Sequence, residues 1–495
     1  MKLQRIDLLT LSLLATASLA SRLPLRSVYL FHWDSLNFAA SLAHYDVRMH
    51  QPHPPGYVLY SLLGKLVLPI AGEANASFVW ISLAGGVLGV CAIYLLGLII
   101  AGRPTAFVAA LLTVSSPLHW FYSVIALTYA LEFLLVTAVA VLCYVQLSGN
   151  HRIWLWSAAL LGLIGGVRQN DVVFLLPLWL CSVVPLSWPR RLGSLAVLSG
   201  VVLAWTLPMA KLSGGVNGYL ASVGAQSAAL AGESSFAVAS QLVLNGGRMA
   251  IYLVYGLLLG AVALAAGTIL ALRRVRALIR DRRTWFFALW ILPSVSFYLL
   301  FHIRQHGHIF TFLPAVVILT AMSVVAIGKS VARNGVQQPV FQITSVLVLT
   351  NLAFFLLAPA SLFGSNRLPL QAPVRTALVE RDHHLGERFA AIQARFQPAT
   401  TAIIAGGIDY YHPTYYLAGY QQIRVDSQQE LRPIALQDGV TTLVWFDDVS
   451  WAATGKLISD VSELHLPSGA VLHYVTWSPD QRAILSPNGV VIASR

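Results

Sequence analysis

Charge is what this chain has least of: its 495 residues include 32 Lys and Arg and 20 Asp and Glu, together 11%, against 57% apolar residues. With a mean hydropathy of +0.69, this is more apolar surface than a soluble core can bury, which excludes an ordinary water-soluble enzyme. Cysteine is almost missing. Cys91, Cys143 and Cys181 all sit inside apolar runs with no CxxC or CxxH spacing, so neither a disulfide framework nor a zinc site is indicated, and buried small side chains are the better reading. No basic patch is interleaved with aromatics, so the formal charge of +12 carries no nucleic-acid signal. There is no repeat of fixed period and nothing resembling the inverted halves of a transporter. What is left is a polytopic membrane protein.

About 20 apolar residues cross a bilayer, and on that measure the chain has about 11 candidate spans, near 6–21, 78–100, 105–121, 123–146, 153–167, 172–186, 192–210, 249–272, 284–301, 309–328 and 340–360. With the N-terminus inside, inner loops hold 14 of the Lys and Arg in residues 1–360, and outer loops and embedded positions hold 8 across much more sequence. The positive-inside rule supports that orientation. The first span, ending in ASLAS, also has the marks of a cleavable signal peptide, a choice that leaves the orientation of the following loops unchanged. Residues 57–72, YVLYSLLGKLVLPIAG, are apolar but short and interrupted by Lys65 and Pro69, which suits a helix lying at the interface or re-entering.

Composition changes near residue 361. The last 135 residues hold 12 acidic and 10 basic side chains, whereas the first 360 hold only 8 acidic ones. The expected organisation is therefore a transmembrane domain over 1–360, with a large first outside loop at 22–77, followed by a soluble extracytoplasmic α/β domain over 361–495. In the latter, ALVERDHHLGERFAAIQARF reads as an amphipathic helix, and TTAIIAGG, TTLVWFDD, AVLHYVTWS and GVVIAS read as strands. Residues 211–248 are long enough for a loop that folds over a site, with Asn245-Gly246-Gly247 as a turn before the next span.

Scarce acids are the ones to weigh. Asp34, Asp46, Glu73, Glu132, Asp171 and Glu233 fall in outer loops or spans. Asp34 lies in the stretch WDSLNFAASLAHYDVRMHQPHPPGY, where an aromatic belt and partial desolvation suit a general base; capping the helix LNFAASLA is the competing role. Asp46, twelve residues on, would stand about 18 Å away on one continuous helix, too far to share a proton, so it is either structural or a contact for a substrate hydroxyl. His50 and His53 stand among three prolines, a rigid setting that matches no zinc signature, so His53 reads as a hydrogen-bond donor to a phosphate or sugar. Glu132 falls inside a span, where charge faces a cavity or a partner. Arg168 in GGVRQNDVVFLLPLW either snorkels or meets a phosphate. FHIRQHGHIF groups Arg304 and His306 between two spans, as an anion site or a polar turn.

Taken together, these segments resemble the GT-C class of membrane glycosyltransferases, near the protein O-mannosyltransferase and aminoarabinose transferase branch. The likeness rests on Trp33-Asp34 in the first outside loop, His53 to Tyr57 (HPPGY) entering a surface helix, GGVRQNDVVFLLPLW, and the His/Arg loop leading to Pro314. It covers most of residues 1–360. It implies a polyprenyl-phosphate or polyprenyl-diphosphate sugar donor, an acceptor hydroxyl on a protein, lipid or glycan at the outer face, inversion at the sugar, and Asp34 as the base. Arg304, Arg168 and Lys65 would then stabilise the leaving phosphate, with His53 and His306 as further donors. Many relatives carry a second acid directly after the first; here Ser35 stands there, which favours an enzyme without a metal or other cofactor. A multi-span transporter or lipid flippase is the alternative, disfavoured because the polar groups gather in loops on one side rather than at the midplane.

Overall fold

The computed structural model describes residues 3–494 apart from 233, 237, 239, 274, 333–337, 363–370, 426–433, 438, 455–460, 479–480 and 487–488. Glu233, one of the six acids singled out, thus lies outside the described residues. The chain divides into two compact units. The first is Met1–Ser27 with Asn37–Leu378, and the second is Val28–Leu36 with Val379–Arg495.

The first unit is helical. Among its described residues, seven helices are long and apolar enough to cross a membrane: Arg5–Leu25, Ala74–Ala101, Tyr129–Leu147, Trp188–Leu212, Arg282–Leu300, Leu313–Val331 and Gln338–Leu357. An eighth candidate is the pair Ser240–Leu257 and Gly260–Leu272, bent by 105° at Leu258, whose φ is 45°. Three other expected spans are shorter apolar helices, Arg103–Ser115, His151–Val167 and Gln169–Val183. The stretch expected at 105–121 is interrupted because Pro117 has no N–H to continue the ladder and a new short helix, Pro117–Tyr122, starts there. The span expected from 123 begins at Tyr129. Val58–Ala71, at 14 residues, is too short to cross.

Ala74–Ala101 packs against Arg5–Arg22, Val58–Ala71, Arg103–Ser115 and Tyr129–Leu147. Small residues make the approach possible, as expected where helices associate without a hydrophobic driving force. A Cβ on Gly85 would come within 2.7 Å of the Leu131 backbone nitrogen, and one on Gly97 within 2.8 Å of the Ala106 Cα. Asp7, 1% exposed, joins the first helix to this group: its carboxylate accepts from Arg103 Nε at 2.9 Å, Arg103 Nη2 at 3.0 Å and Tyr94 Oη at 3.0 Å.

A further expectation fails in this unit. Asn245-Gly246-Gly247 is no turn but lies within the helix Ser240–Leu257. The Asn245 side chain, which would favour a turn by bonding to its own backbone, instead donates from Nδ2 to the Leu299 carbonyl at 3.1 Å. The tertiary bond wins over the local one.

The second unit is an α/β layer. Strands β1 (Thr401–Ala405), β2 (Gln421–Arg424), β3 (Ile434–Ala435), β4 (Thr442–Trp445), β5 (Ser462–His465), β6 (Val471–Thr476), β7 (Gln481–Ser486) and β8 (Gly489–Ser494) form a five-stranded sheet in the order β2-β1-β4-β6-β5 and a three-stranded one in the order β3-β7-β8. β1 pairs in parallel with β2 and β4, while β6 runs antiparallel to β4 and β5. Period-two alternation sorts the side chains. Ile403, Ala405, Val444 and Phe446 face Leu385, Phe389, Ile392 and Phe396 of the helix Arg375–Arg395, and Ala402, Ile404, Leu443 and Trp445 build the opposite core. The amphipathic helix and the strands read from the sequence are present here.

Val28–Leu36 belongs to this unit for a specific reason. The Asp382 carboxylate accepts the Val28 N–H at 2.9 Å and the Tyr29 N–H at 3.0 Å, and the Leu30 N–H donates to Tyr416 Oη at 2.9 Å. The Leu30 carbonyl accepts from His412 Nε2 at 2.8 Å; burial, then the nearby Arg381, push that imidazole down to about 3, so it is neutral at physiological pH. The Tyr29 ring completes the clasp against Phe389 and Tyr416.

Asp447 caps the start of the helix Asp448–Thr454, accepting from Ser450 N at 2.8 Å and from Gly406 N at 2.7 Å. Burial pushes its carboxyl up to about 6 despite those bonds. A raised carboxyl binds its proton in the folded state before the unfolded one does, so this group's contribution is largest below about pH 4 and declines as pH rises to about 6. The expected loss is on the order of 3 kcal/mol. Thermal unfolding of this unit, followed by proteolysis of the full chain across that range, should show a slope that Asp447→Asn flattens.

Candidate functional site

Asp34 is placed by the start of the helix Trp33–Ala43. The cap is not Asp34 itself, as the sequence allowed, but His32: its carbonyl accepts from Ser35 N at 2.9 Å and Leu36 N at 3.3 Å, and its ring Nδ1 accepts the Asp34 N–H at 3.1 Å. Asp34 therefore stands in the first turn, where free N–H groups favour an anion. Its Oδ2 lies 3.3 Å from the same His32 Nδ1. Both residues are 7% exposed. Nearby in the second unit, the Trp33 ring is 6.1 Å from that of Tyr411, and Arg424 lies over Tyr410 and Tyr411 at 5.4 and 5.8 Å. Asp409 steadies this tyrosine turn. Burial opposes its charge, but Arg381 at 2.6 Å outweighs it and holds the carboxyl below the usual range.

Asp46, in the first unit, is occupied by its own neighbourhood. It is 3% exposed and caps the turn Val47–Met49, accepting from Arg48 N at 2.9 Å, from Arg48 Nε at 3.0 and 3.1 Å and from Arg48 Nη2 at 2.6 Å. Those Arg48 hydrogen bonds hold its carboxyl below the usual range. A two-residue bridge to Gln51 closes the turn, and His50, with φ 57°, makes the left-handed corner. His53 is half-buried with its ring 4.8 Å from Tyr57 and 5.5 Å from Phe38. Lys65 is exposed on Val58–Ala71, on a surface that also shows Leu62, Leu66 and Ile70.

Glu132 and Arg168 are brought together. Glu132 is 0% and Arg168 8% exposed, with Arg168 Nε 3.0 Å from Glu132 Oε2. The guanidinium also donates from Nη1 to Thr128 Oγ1 at 3.1 Å and lies 4.7 Å above the Tyr129 ring. Asp171 joins them, through a hydroxyl absent from the sequence reading: Thr311 Oγ1 is 2.8 Å from Glu132 Oε1 and 3.1 Å from Asp171 Oδ1. Local structure explains the convergence. Glu132 and Asp171 occupy the first turns of Tyr129–Leu147 and Gln169–Val183, and Arg168 is the extended residue between Trp154–Val167 and the latter. Gly166 lets that junction close, since a Cβ there would fall 2.4 Å from Leu59 Cγ.

Thr311 ends the turn His306–Thr311, so the buried ion pair also anchors the segment that carries Arg304 and His306. Arg304 is exposed. His306 is buried, 3.4 Å from Tyr122 Oη and ringed by Tyr252 and Tyr255 at 4.8 and 5.7 Å. Gly307 fits against Tyr129, whose ring carbons are 2.4 Å from where a Cβ would stand, and its N–H donates to Tyr122 Oη at 3.2 Å. Tyr129 Oη in turn donates to Gln305 Oε1 at 2.6 Å. Among the described residues, no group of three or more His, Cys, Asp or Glu is arranged to hold a metal ion.

Removing one member of a buried pair strands the other. Arg168→Met should cost roughly 3–5 kcal/mol, read as a lowered midpoint of thermal unfolding in detergent. Combining it with Glu132→Gln should restore a large part of that loss; if the two losses simply add, the pair does not act as one unit.

No protein-family model matches the chain, and no curated protein matches its sequence. Solved structures do. ArnT from Cupriavidus metallidurans in the apo state superposes with a TM-score of 0.53 at 13% identity, over 94% of this chain and 97% of that one. The same protein bound to undecaprenyl phosphate gives 0.52 at 11% identity over the same shares. At such identities a likeness speaks for architecture, and the architecture is clear: over nearly its whole length the chain has the fold of ArnT.

Proposed function

We propose that the protein is an integral-membrane glycosyltransferase that moves a sugar from a polyprenyl-phosphate or diphosphate carrier to an acceptor hydroxyl at the outer face, with Asp34 as general base. The observation that carries this reading is Asp34 itself: a carboxylate 7% exposed, in the first turn of a helix and beside an imidazole, within a chain folded like ArnT. A relative with that fold was solved with undecaprenyl phosphate bound, which supports a lipid-linked donor here.

In the reaction, Asp34 takes the proton of the acceptor hydroxyl as its oxygen attacks the anomeric carbon. The bond from that carbon to the carrier oxygen breaks, and the phosphate leaves with the electron pair. One direct displacement inverts the sugar. The departing charge needs a cation or hydrogen-bond donors. Exposed Arg304 and Lys65 are assigned that role, with His53 as a donor. Glu132 and Arg168, which neutralise one another, serve as the anchor for the segment bearing Arg304 and His306. Asp46, neutralised by Arg48, keeps a secondary part in substrate contact. The C-terminal unit is read as extracytoplasmic.

One observation favours transport instead, namely the 105° break between Ser240–Leu257 and Gly260–Leu272, since broken helices line transport sites. A single assay separates the two readings. Purified protein is given radiolabelled undecaprenyl-phosphate hexoses with total membranes as acceptor, and label leaving the carrier is counted. Wild type should transfer, Asp34→Asn should lose at least about 100-fold, and Arg304→Ala about tenfold or more. Near-normal turnover by a folded Asp34→Asn protein removes Asp34 from the chemistry, and movement of intact carrier across vesicles without transfer replaces the reading with transport.

A further inference from the structure

We propose that the turn between the helices Gly260–Leu272 and Arg282–Leu300 is a docking surface for the headgroups of anionic phospholipids. It uses none of the residues assigned to sugar transfer and does not depend on that reading.

Charge is concentrated here as nowhere else in the sequence. Residues 273–283, RRVRALIRDRR, hold six arginines and one aspartate, in a chain with 32 Lys and Arg in all. Like charges so close repel unless counter-charge is near. Within the turn the counter-charge is Asp281, and it is already engaged. Its carboxylate caps the helix Arg282–Leu300 by accepting from Arg283 N at 2.9 Å and pairs with Arg283 Nη2 at 2.7 Å. Arg282 lies over the Tyr144 ring at 5.5 Å. Arg273, Arg276 and Arg280 are exposed, and none of them forms an ion pair among the described residues. Three cations therefore stand open on one short turn.

The apolar neighbours decide which anion they meet. Val275–Arg280 is a short helix. At about 100° per residue, Val275, Leu278 and Ile279 fall on one face, and Arg276 and Arg280 on the adjoining one. Val275 is 48% exposed, Ile279 58% and the preceding Leu272 56%. Trp285 is also open, and its indole N–H donates to the Ile279 carbonyl at 2.9 Å. A nucleic acid would meet the arginines and leave these side chains in water. A bilayer interface takes both: the apolar face enters the boundary of headgroups and chains, the Trp ring sits at headgroup level, and the guanidinium groups reach phosphate. The flanking helices hold the turn there, since Arg282–Leu300 is long and apolar enough to span and Gly260–Leu272 belongs to the bent candidate pair. A guanidinium fork matches two phosphate oxygens. Phosphatidylcholine sets its own cation beside that phosphate, so the fit is to a lipid of net negative charge, such as phosphatidylglycerol, towards which juxtamembrane Arg clusters are drawn.

The test needs no sugar donor. The full chain, with Cys91→Ala, Cys143→Ala and Cys181→Ala, carries a fluorophore on Ala277→Cys, an exposed position in the turn, and is reconstituted in phosphatidylcholine bilayers. At equal low mole fraction, nitroxide-labelled phosphatidylglycerol should quench the fluorophore about threefold more than nitroxide-labelled phosphatidylcholine. The difference should shrink as salt rises from about 0.02 M to about 0.5 M. Combining Arg273→Gln, Arg276→Gln and Arg280→Gln keeps good helix formers in place and should make the two lipids quench alike. The corresponding triple change to Lys keeps the charge and should retain about half of the preference or more. Equal quenching by the two lipids in the otherwise unaltered chain overturns the proposal in favour of a soluble acidic partner. A preference that survives in the triple Gln protein, or that salt leaves unchanged, overturns the assignment to these arginines. Loss in the triple Lys protein as complete as in the triple Gln one overturns the electrostatic account.

Discussion

A guanidinium without water around it has to find its compensation inside the protein, and Arg168 organises the helical unit by that need. In a low-dielectric interior the cost of a lone ion amounts to several kcal/mol, repaid only when partners meet it at good geometry. Glu132 supplies the charge, Thr128 an acceptor and Tyr129 a ring face. Because these partners sit at the start of one helix, Arg168 at the start of another and Thr311 in the turn after a third, a single electrostatic demand fixes where Tyr129–Leu147, Gln169–Val183 and the segment 301–311 stand against one another. Thr311 is worth a closer count. It has one hydroxyl proton and two carboxyl oxygens within hydrogen-bond distance, so one hydroxyl links both acids to the Arg168 cluster.

The second unit solves a different problem, that of an unpaired stretch of backbone. The segment Val28–Leu30 has backbone donors and an acceptor that no strand pairs, and Asp382, Tyr416 and His412 satisfy them one by one. His412 is suited to this because burial keeps it neutral, with one nitrogen to donate. His32, two residues beyond the clasp, uses the other half of imidazole chemistry, accepting through Nδ1. Two histidines of one unit thus play opposite parts, each set by which backbone group it meets.

How much of this was visible beforehand follows from what periodicity and composition encode. Apolar length announced the helices, and alternation announced TTAIIAGG and TTLVWFDD as strands, since both are properties of a segment alone. Lengths within the bundle were less legible: Pro117 breaks one stretch and Asn245 is held in a helix by Leu299, a residue more than fifty positions away. The candidate site was read as a set of residue types, so Asp34, Glu132 and Arg168 stood out as scarce charges in apolar surroundings. Their partners did not. Thr311 and His32 are ordinary in sequence and matter only through contact, and Asp171, three residues after Arg168, was noticed as an acid but not as a member of the cluster. Its spacing from Arg168 was the available signal.

Scarcity also explains why so few positions carry the burden. With 20 acidic residues in 495, each carboxylate inside the apolar part is either matched or working. Asp7 is matched by Arg103, Asp46 by Arg48, and Glu132 by Arg168, each to a guanidinium whose fork holds the pair in one geometry. Asp34 has an imidazole beside it, with His32 Nδ1 3.3 Å from Oδ2. A guanidinium never releases its proton in this pH range and would quench a base permanently. An imidazole can shed its proton near neutral pH, so a contact of that kind does not by itself hold a carboxylate in a permanent ion pair.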